Sequence, residues 1–249
     1  MMLELAATHS NHCNDSAPCA DHCDSSATCE VQSYDSVTYA AHCNDSATCA
    51  VYYEDSATFA AHCDDSGTCA DNSDGSVTCA AHYDDIDTYT AHCDDSSTHA
   101  GNCDDRATCE AHSYDSVACA AYCNDNATCA VYSDDSATCA AHCFDSVTCA
   151  AHCDDSVTCA AHCDDIATCA AHCDESATCA AYYDHSVIYT HCNNSVTCAA
   201  QCDDCITYTA HCDNSVTCAA HCNDSATCVA HSDDSAVCAV ILTSICLQQ

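Results

Sequence analysis

Small apolar and polar residues alternate along this chain in a ten-residue unit that recurs about 23 times between residues 11 and 239. A clear copy is residues 151–160, Ala-His-Cys-Asp-Asp-Ser-Val-Thr-Cys-Ala, which we number as positions 1 to 10. Because ten is even, every copy of a position falls on the same face of an extended strand. In an α-helix each copy would be rotated by about −80° from the last. The period therefore predicts β-strands.

A unit this short cannot bury a face by itself, so the pattern predicts an all-β solenoid of stacked ten-residue repeats. With one coil per unit, about 23 coils at about 4.8 Å each would make a rod of about 110 Å. Its open ends are the natural sites of end-to-end self-association.

Three segments follow from the pattern: an N-terminal lead at residues 1–10, the repeat array at residues 11–239, and an apolar C-terminal cap at residues 240–249. In the cap, Val240, Ile241 and Leu242 are predicted to cover the last coil. One residue is missing from the array near Thr190 and His191, which shifts the later units by one.

Within each coil, positions 3, 7 and 9 are predicted to point inward and to form a core of Cys with Ala or Val. Positions 2, 4, 6 and 8 then point outward, and the acidic pair at positions 4 and 5 is typical of a turn. Because a ten-residue coil has little interior, we expect Tyr83 and Tyr89 to bulge their coil or to turn outward.

Composition limits the partners. The formal net charge is −38 with a single Lys or Arg, Arg106, which excludes a basic surface for nucleic acid or for an anionic membrane. No apolar stretch reaches transmembrane length.

Large aliphatic residues are so few that an uncrosslinked chain of this composition would be disordered. The 34 cysteines are the candidate source of order, because a disulfide contributes about 2–4 kcal/mol.

The degenerate copies favour a disulfide between positions 3 and 9 of one unit, because four units have lost both cysteines together. These are Ser33 with Tyr39, Tyr53 with Phe59, Tyr83 with Tyr89, and Tyr183 with Tyr189. The predicted bridges are Cys43–Cys49, Cys143–Cys149, Cys153–Cys159, Cys163–Cys169, Cys173–Cys179 and Cys212–Cys218. Such bridges imply a secreted or extracellular protein, although residues 1–10 lack a secretory signal. The alternative is a chain whose thiols stay reduced or bind metal.

Outward Ser and Thr at positions 6 and 8 would recur at the strand spacing of about 4.8 Å and form a regular hydroxyl array. The clearest copies are Ser46, Thr48, Ser136, Thr138, Ser146, Thr148, Ser156, Thr158, Thr168, Ser176, Thr178, Ser215 and Thr217. A solvated β face that tolerates Ser and Thr is the alternative interpretation.

With these motifs the chain resembles the disulfide-laddered β-solenoid antifreeze proteins of insects, which carry Thr-Cys-Thr strands. It also resembles the Ser-x-Thr strands of bacterial ice-nucleation proteins. Here the strand reads Thr-Cys-Ala, with Ala160 at the place of the second Thr. The resemblance implies a non-catalytic protein that binds a repetitive surface, ice first and mineral second.

The acidic columns suggest cations as partners. Carboxylates about 5 Å apart repel by about 0.8 kcal/mol per neighbour even in water. Bound Ca²⁺ or Mg²⁺, high salt or low pH would offset this repulsion, and the candidate cation ligands are Asp154, Asp155, Asp164 and Asp165. A solvated acidic face without bound cations is the alternative interpretation.

Soft metals are a separate possibility, since thiolate and imidazole bind Zn²⁺ and Cu⁺. In a strand His152 and Cys153 face opposite sides and would not share one ion. The leading alternative function is therefore metal sequestration by a mostly disordered acidic chain rich in Cys and His.

Catalysis is not predicted, because all copies of the unit are equivalent and a general-base site needs one distinct pocket. No cofactor is required by any motif. Most departures from the unit are single-base changes, so an open reading frame through a minisatellite with no evolved function is a third interpretation.

Overall fold

The computed structural model describes residues 7–12, 18–23, 26–33 and 36–242, and in this part of the chain all regular elements are β-strands. The 22 strands form a parallel solenoid in which odd-numbered and even-numbered strands stack separately. We call these two layers the odd sheet and the even sheet. None of the described residues belongs to a helix that would be long and apolar enough to span a membrane.

The odd sheet contains β1 (Ala7–His12), β3 (Ala27–Ser33), β5 (Ala47–Tyr53), β7 (Ser66–Ser73), β9 (Ile86–Cys93), β11 (Arg106–Ser113), β13 (Asn126–Ser133), β15 (Ser146–Cys153), β17 (Ile166–Cys173) and β21 (Ser225–Ser232). The even sheet contains β2 (Pro18–Cys23), β4 (Val37–Cys43), β6 (Ala57–Cys63), β8 (Val77–Tyr83), β10 (Ser96–Cys103), β12 (Ser116–Tyr122), β14 (Ser136–His142), β16 (Ser156–His162), β20 (Ser215–Cys222) and β22 (Ser235–Leu242). Two long strands, β18 (Ser176–Cys192) and β19 (Ser195–Cys212), pass from the even sheet into the odd sheet.

A coil is made of two units and not one. Thr138 pairs with Thr158 and Cys139 with Cys159, so the register advances by 20 residues per coil. The solenoid has about 10 coils, and at about 4.8 Å per coil its length is about 48 Å. The prediction of about 23 coils and a 110 Å rod was wrong. A strand of seven residues is about 23 Å long, and the three remaining residues cannot carry the chain back that distance.

The inward and outward positions follow the predicted alternation. In β16 and the turn after it, Val157, Cys159 and Cys163 are buried, whereas Thr158 is exposed. Position 1 also points inward, as at Ala161. The core therefore consists of Cys, Ala and Val from both sheets, which face each other across the coil.

The turns explain why the chain has only 3 glycines. At the turn after β15, Asp154 N–H donates to the Asp134 carbonyl at 2.9 Å and Asp155 N–H donates to the Asp135 carbonyl at 3.1 Å. Each turn is thus held to the turn one coil below. No described residue has a positive φ, so the turns need no residue that favours the left-handed region.

The tyrosines are inside, contrary to the expectation that they would bulge or turn outward. Tyr83 is 1% exposed and Tyr89 is fully buried. A Cβ on Gly67 would lie 1.7 Å from the Tyr83 ring, so the absence of a side chain at Gly67 provides its space. The rings of Tyr39 and Phe59 stack with their centroids 5.3 Å apart. A 20-residue coil has room for these rings because two sheets enclose its core.

The missing residue lies in the turn after Tyr183, and not near Thr190 and His191. The pairing of β18 with β19 shifts between Tyr183 and His185. Ile188 then takes position 9, opposite Cys169 in the neighbouring strand, and is buried. Tyr189 consequently falls at position 10, where it is half-exposed. The joint loss in this unit is therefore Tyr183 with Ile188.

At the C-terminal end of the described solenoid, Val240, Ile241 and Leu242 complete β22 and are exposed. Residues 243–249 of the predicted cap lie outside the described residues, as do residues 1–6 of the predicted lead. The cap and the lead therefore stay predictions.

Candidate functional site

Threonines at position 8 form one column on each sheet. The even column is exposed along its described length and is interrupted by Ala118. Its members are Thr38, Thr58, Thr78, Thr98, Thr138, Thr158, Thr178, Thr197 and Thr217. The odd column is less uniform, because Thr88, Thr108, Thr168 and Thr207 are half-buried. The even sheet thus carries the more regular hydroxyl column.

The predicted hydroxyl residues divide between two opposite faces. Thr138, Thr158, Thr178 and Thr217 lie on the even sheet, with their serines Ser136, Ser156, Ser176 and Ser215. Thr48, Thr148 and Thr168 lie on the odd sheet, with Ser46 and Ser146. The predicted hydroxyl array is therefore divided over two faces, and the acidic turns lie along the two edges between them.

The position 6 serines of the predicted array lie at or just before the start of their strands and are half-buried, not fully outward as expected. Ser156 Oγ and Ser176 Oγ are 3.1 Å apart and share a hydrogen bond. Ser146 Oγ likewise donates to Asn126 Oδ1 in the next coil. These hydroxyls are engaged along the solenoid, so the threonine columns present the more available hydroxyls.

Stacked rings flank the threonines. Among the position 2 side chains of the odd sheet, the rings of His152, His172 and His191 stack almost parallel. Their centroids are 4.7 Å apart for His152 and His172, and 4.9 Å apart for His172 and His191. Burial, followed by the charges of His152 and His191, lowers the pKa of His172. The sequence showed a His at position 2, but the ladder appears only once the 20-residue register is known.

Alanines at position 10 lie between the threonine and ring columns. On the even sheet they line a shallow apolar groove, represented by Ala140, Ala160 and Ala180. The rims of the groove include His142 and His162, whose rings stack at 4.5 Å. Each sheet therefore presents a flat surface of parallel methyl, hydroxyl and ring columns.

The four predicted cation ligands are exposed but do not come together. Asp154 and Asp155 lie in the turn from β15 to β16, whereas Asp164 and Asp165 lie in the turn from β16 to β17, on the opposite edge. Each edge is a column of acidic turns. The binding of Ca²⁺ by these residues stays a prediction.

Asparagines interrupt the acidic columns and relieve their repulsion. Asn124 Nδ2 donates to Asp104 Oδ1 at 3.4 Å, and Asn223 Nδ2 donates to Asp203 Oδ1 at 3.1 Å. A neutral amide that donates to the carboxylate one coil away replaces a like-charge contact by a hydrogen bond. Such contacts stabilise the stacked turns without a cation.

The cysteines of positions 3 and 9 line the core, and no disulfide joins those between Cys43 and Cys238. All of the cysteines in the predicted bridges are buried. Among the position 9 thiols, Cys119 Sγ lies 3.3 Å from Cys129 Sγ, across the coil. At position 3, Cys43 contacts Cys63 one coil away. Sulfur contacts thus run along columns and across the core, and pairing within one unit stays a prediction for the oxidised protein.

Burial keeps the thiols of Cys153 and Cys163 protonated near neutral pH. It raises the pKa of Cys153 to about 11 and that of Cys163 to about 11. Because the thiolate is the reactive form, thiols of this kind are inert while the coil is closed.

One buried polar cluster breaks the equivalence of the coils. His99 and Asp87 replace the usual Cys at position 9 and Val or Ala at position 7, and both side chains are 1% exposed. His99 Nε2 lies 3.4 Å from Asp87 Oδ2. A Cβ on Gly101 would lie 2.2 Å from the same oxygen. Gly101 therefore leaves the space that this pair fills.

Tyr89 and Asp71 extend the cluster. The ring of Tyr89 stacks on His99 with centroids 4.2 Å apart, and Tyr89 Oη is 3.4 Å from Ser97 Oγ. Cys69 Sγ donates to both carboxylate oxygens of Asp71 at 3.6 Å.

The cluster perturbs its titratable groups. Burial raises the pKa of Asp71 to about 6. Burial alone would lower the pKa of His99, but contact with Asp87 and then with Cys79 raises it to about 9. In the repeat pattern His99 is a position 9 that has lost its cysteine. The signal of a cluster in the sequence is the presence of two polar residues at inward positions, Asp87 and His99, close to the rare glycine Gly101. Because the cluster is closed to solvent, it offers no path to a substrate.

No family model, curated protein or solved structure matches the chain. The resemblance to antifreeze and ice-nucleation proteins therefore rests on the repeat motifs alone.

Proposed function

We propose that this protein is a non-catalytic scaffold that binds a repetitive surface, with ice as the first candidate. The observation that carries the proposal is the exposed threonine column of the even sheet, in which Thr138, Thr158 and Thr178 stack in strict register. Their spacing is about 4.8 Å, and the alanine-floored groove lies beside them. A rigid sheet with hydroxyl and methyl groups at fixed intervals suits a periodic lattice, since its side chains are already ordered before binding.

Substitution of the threonine column tests the proposal. The variant Thr138→Tyr/Thr158→Tyr/Thr178→Tyr places bulky rings on the even face. The matched control Asp134→Tyr/Asp154→Tyr/Asp174→Tyr places the same rings in a turn column, where Tyr114 already stands at an equivalent position. We expect thermal hysteresis and ice shaping in the unmodified protein and in the control, and their loss in the threonine variant.

Two results would contradict ice binding. One is the absence of both thermal hysteresis and ice shaping in the unmodified protein. The other is equal activity in the threonine variant and in the control. Circular dichroism of each variant verifies that its β structure is retained.

Adsorption to a mineral is the second candidate, favoured by the exposed acidic turns on both edges. Carboxylates are ligands that hard lattice cations such as Ca²⁺ prefer. In that case adsorption to a calcium mineral would fall in the Asp134→Tyr/Asp154→Tyr/Asp174→Tyr protein and persist in the threonine variant.

A further inference from the structure

Three thiols converge where the position 9 cysteines reach the C-terminal end of the described solenoid. Cys218 of β20 and Cys238 of β22 are register partners on the even sheet. Cys228 of β21 approaches from the odd sheet. The three Sγ atoms lie within 4.8 Å of one another. Among the residues that the structure describes, these three form the one group of three or more His, Cys, Asp or Glu side chains whose ligand atoms all lie this close together.

The three thiols differ in their access to solvent. Cys218 is buried, Cys228 is half-buried and Cys238 is exposed. On the inner side Cys218 contacts Cys198, which is buried in the closed part of the core. An ion can therefore arrive past Cys238 without opening a coil. Thiols deeper in the core have no such route.

The donor set selects the class of ion. All three donors are sulfur, and soft thiolates favour Cu(I) and Zn(II) over hard cations. Three sulfurs at about 2.3 Å from a central ion are about 4 Å apart, so the triad needs only a small closure. Zn(II) prefers four ligands, whereas Cu(I) accepts three thiolates. The net charge of −38 also attracts cations to the chain.

We propose that Cys218, Cys228 and Cys238 form a three-coordinate thiolate site for a soft d10 cation of the Cu(I) class. Binding replaces thiol protons, which pass to solvent, and involves no change in oxidation state. This site is separate from the repetitive-surface function, since it lies inside the end of the solenoid and not on a threonine column.

The test uses the reduced full chain in anaerobic buffer, titrated with Cu(I) in the presence of a competing chromophoric Cu(I) chelator. The variants are Cys238→Ser and Cys228→Ser. The control is Cys205→Ser, which removes a half-buried thiol that is not part of the triad. The competitor is needed because the other thiols also bind Cu(I) weakly.

We expect the unmodified protein and the Cys205→Ser control to retain one tight equivalent of Cu(I). In Cys238→Ser and Cys228→Ser the affinity for Cu(I) should fall at least about 100-fold. Loss of a residue that only hydrogen-bonds to a metal ligand already lowers metal affinity about 10–100-fold, and loss of a ligand lowers it more. X-ray absorption should show three sulfur neighbours around the ion. Since Cys238 is exposed, its serine variant should keep the β signal in circular dichroism.

Three outcomes would overturn the site. They are unchanged Cu(I) retention in both triad variants, an equal loss in the Cys205→Ser control, or one Zn(II) held more tightly than Cu(I) by the unmodified protein.

Discussion

At the scale of single residues, the buried polar side chains separate this solenoid from a uniform repeat. Asp71 sits at an inward position that is Ala in most units, and it is only 5% exposed. Its surroundings are Cys69, Tyr89 and His99, which contact or face its carboxyl group. A carboxyl in such surroundings prefers its neutral form, so this residue should make the stability of the protein depend on pH.

The sign of that dependence follows from the raised pKa of Asp71, about 6 against an ordinary value of 3.8. The neutral carboxyl of Asp71 stabilises the folded state fully below about pH 4, and this contribution to the free energy of unfolding is lost as the pH rises through 6. Relative to Asp71→Asn, the unmodified protein should lose about 1.4 kcal/mol of unfolding free energy between pH 5 and pH 7.5. Urea unfolding of both proteins measures the difference. The control is Asp154→Asn, and a pH-independent difference for Asp71→Asn would contradict the prediction.

At the scale of strands, changes in one strand are matched by changes in another. Gly67 in β7 makes room for Tyr83 in β8, and Gly101 in β10 makes room for Asp87 in β9. These glycines are explained by close approach of a side chain, and none has a positive φ. Each glycine thus compensates for a larger or charged side chain in the strand across the coil, which is adjacent in the chain.

The glycine beside the ion pair can be tested by a double-mutant cycle. Gly101→Ala should destabilise the protein by about 1–3 kcal/mol, because the new methyl overlaps the Asp87 carboxylate. The background Asp87→Val/His99→Cys restores the residues that are common at positions 7 and 9. In this background Gly101→Ala should lower the free energy of unfolding by less than about 0.5 kcal/mol, or raise it. Denaturant unfolding followed by circular dichroism gives both values. An equal cost in the two backgrounds would show that the contact is not the cause.

At the scale of the whole molecule, the solenoid is a thiol-lined core between two sheets. Large aliphatic side chains are few, so Cys, Ala and Val fill the interior and the stacked strands satisfy the backbone hydrogen bonds. A closed coil should protect the core thiols from reagents in proportion to their burial.

Alkylation with peptide mapping measures that protection. In the native reduced protein Cys238 should react quickly and Cys159 at least about 100-fold more slowly, since one is exposed and the other fully buried. After unfolding without reductant, all 34 cysteines should react. Equal native rates would show that the core is open, and cysteines that stay protected after unfolding would show disulfides.

The alternation of the unit was sufficient for part of the fold. It predicted strands, a solenoid, and the inward direction of Val157, Cys159 and Cys163, because side-chain direction in a strand depends only on parity. It also placed Thr158 outward and Asp154 in a turn. These features are local, and each is repeated in most units.

The coil itself was decided by tertiary structure. A ten-residue period is compatible with one strand per coil or with two. Two strands per coil are needed because the three residues between strands cannot carry the chain back along the length of one strand. That choice placed Thr148 and Thr158 on opposite faces, gave Tyr83 an interior, and brought Cys218, Cys228 and Cys238 together. The sequence by itself thus determined the alternation of inward and outward positions within the unit. The three-dimensional stacking decided which side chains meet, because contacts between coils depend on a register that no single unit contains.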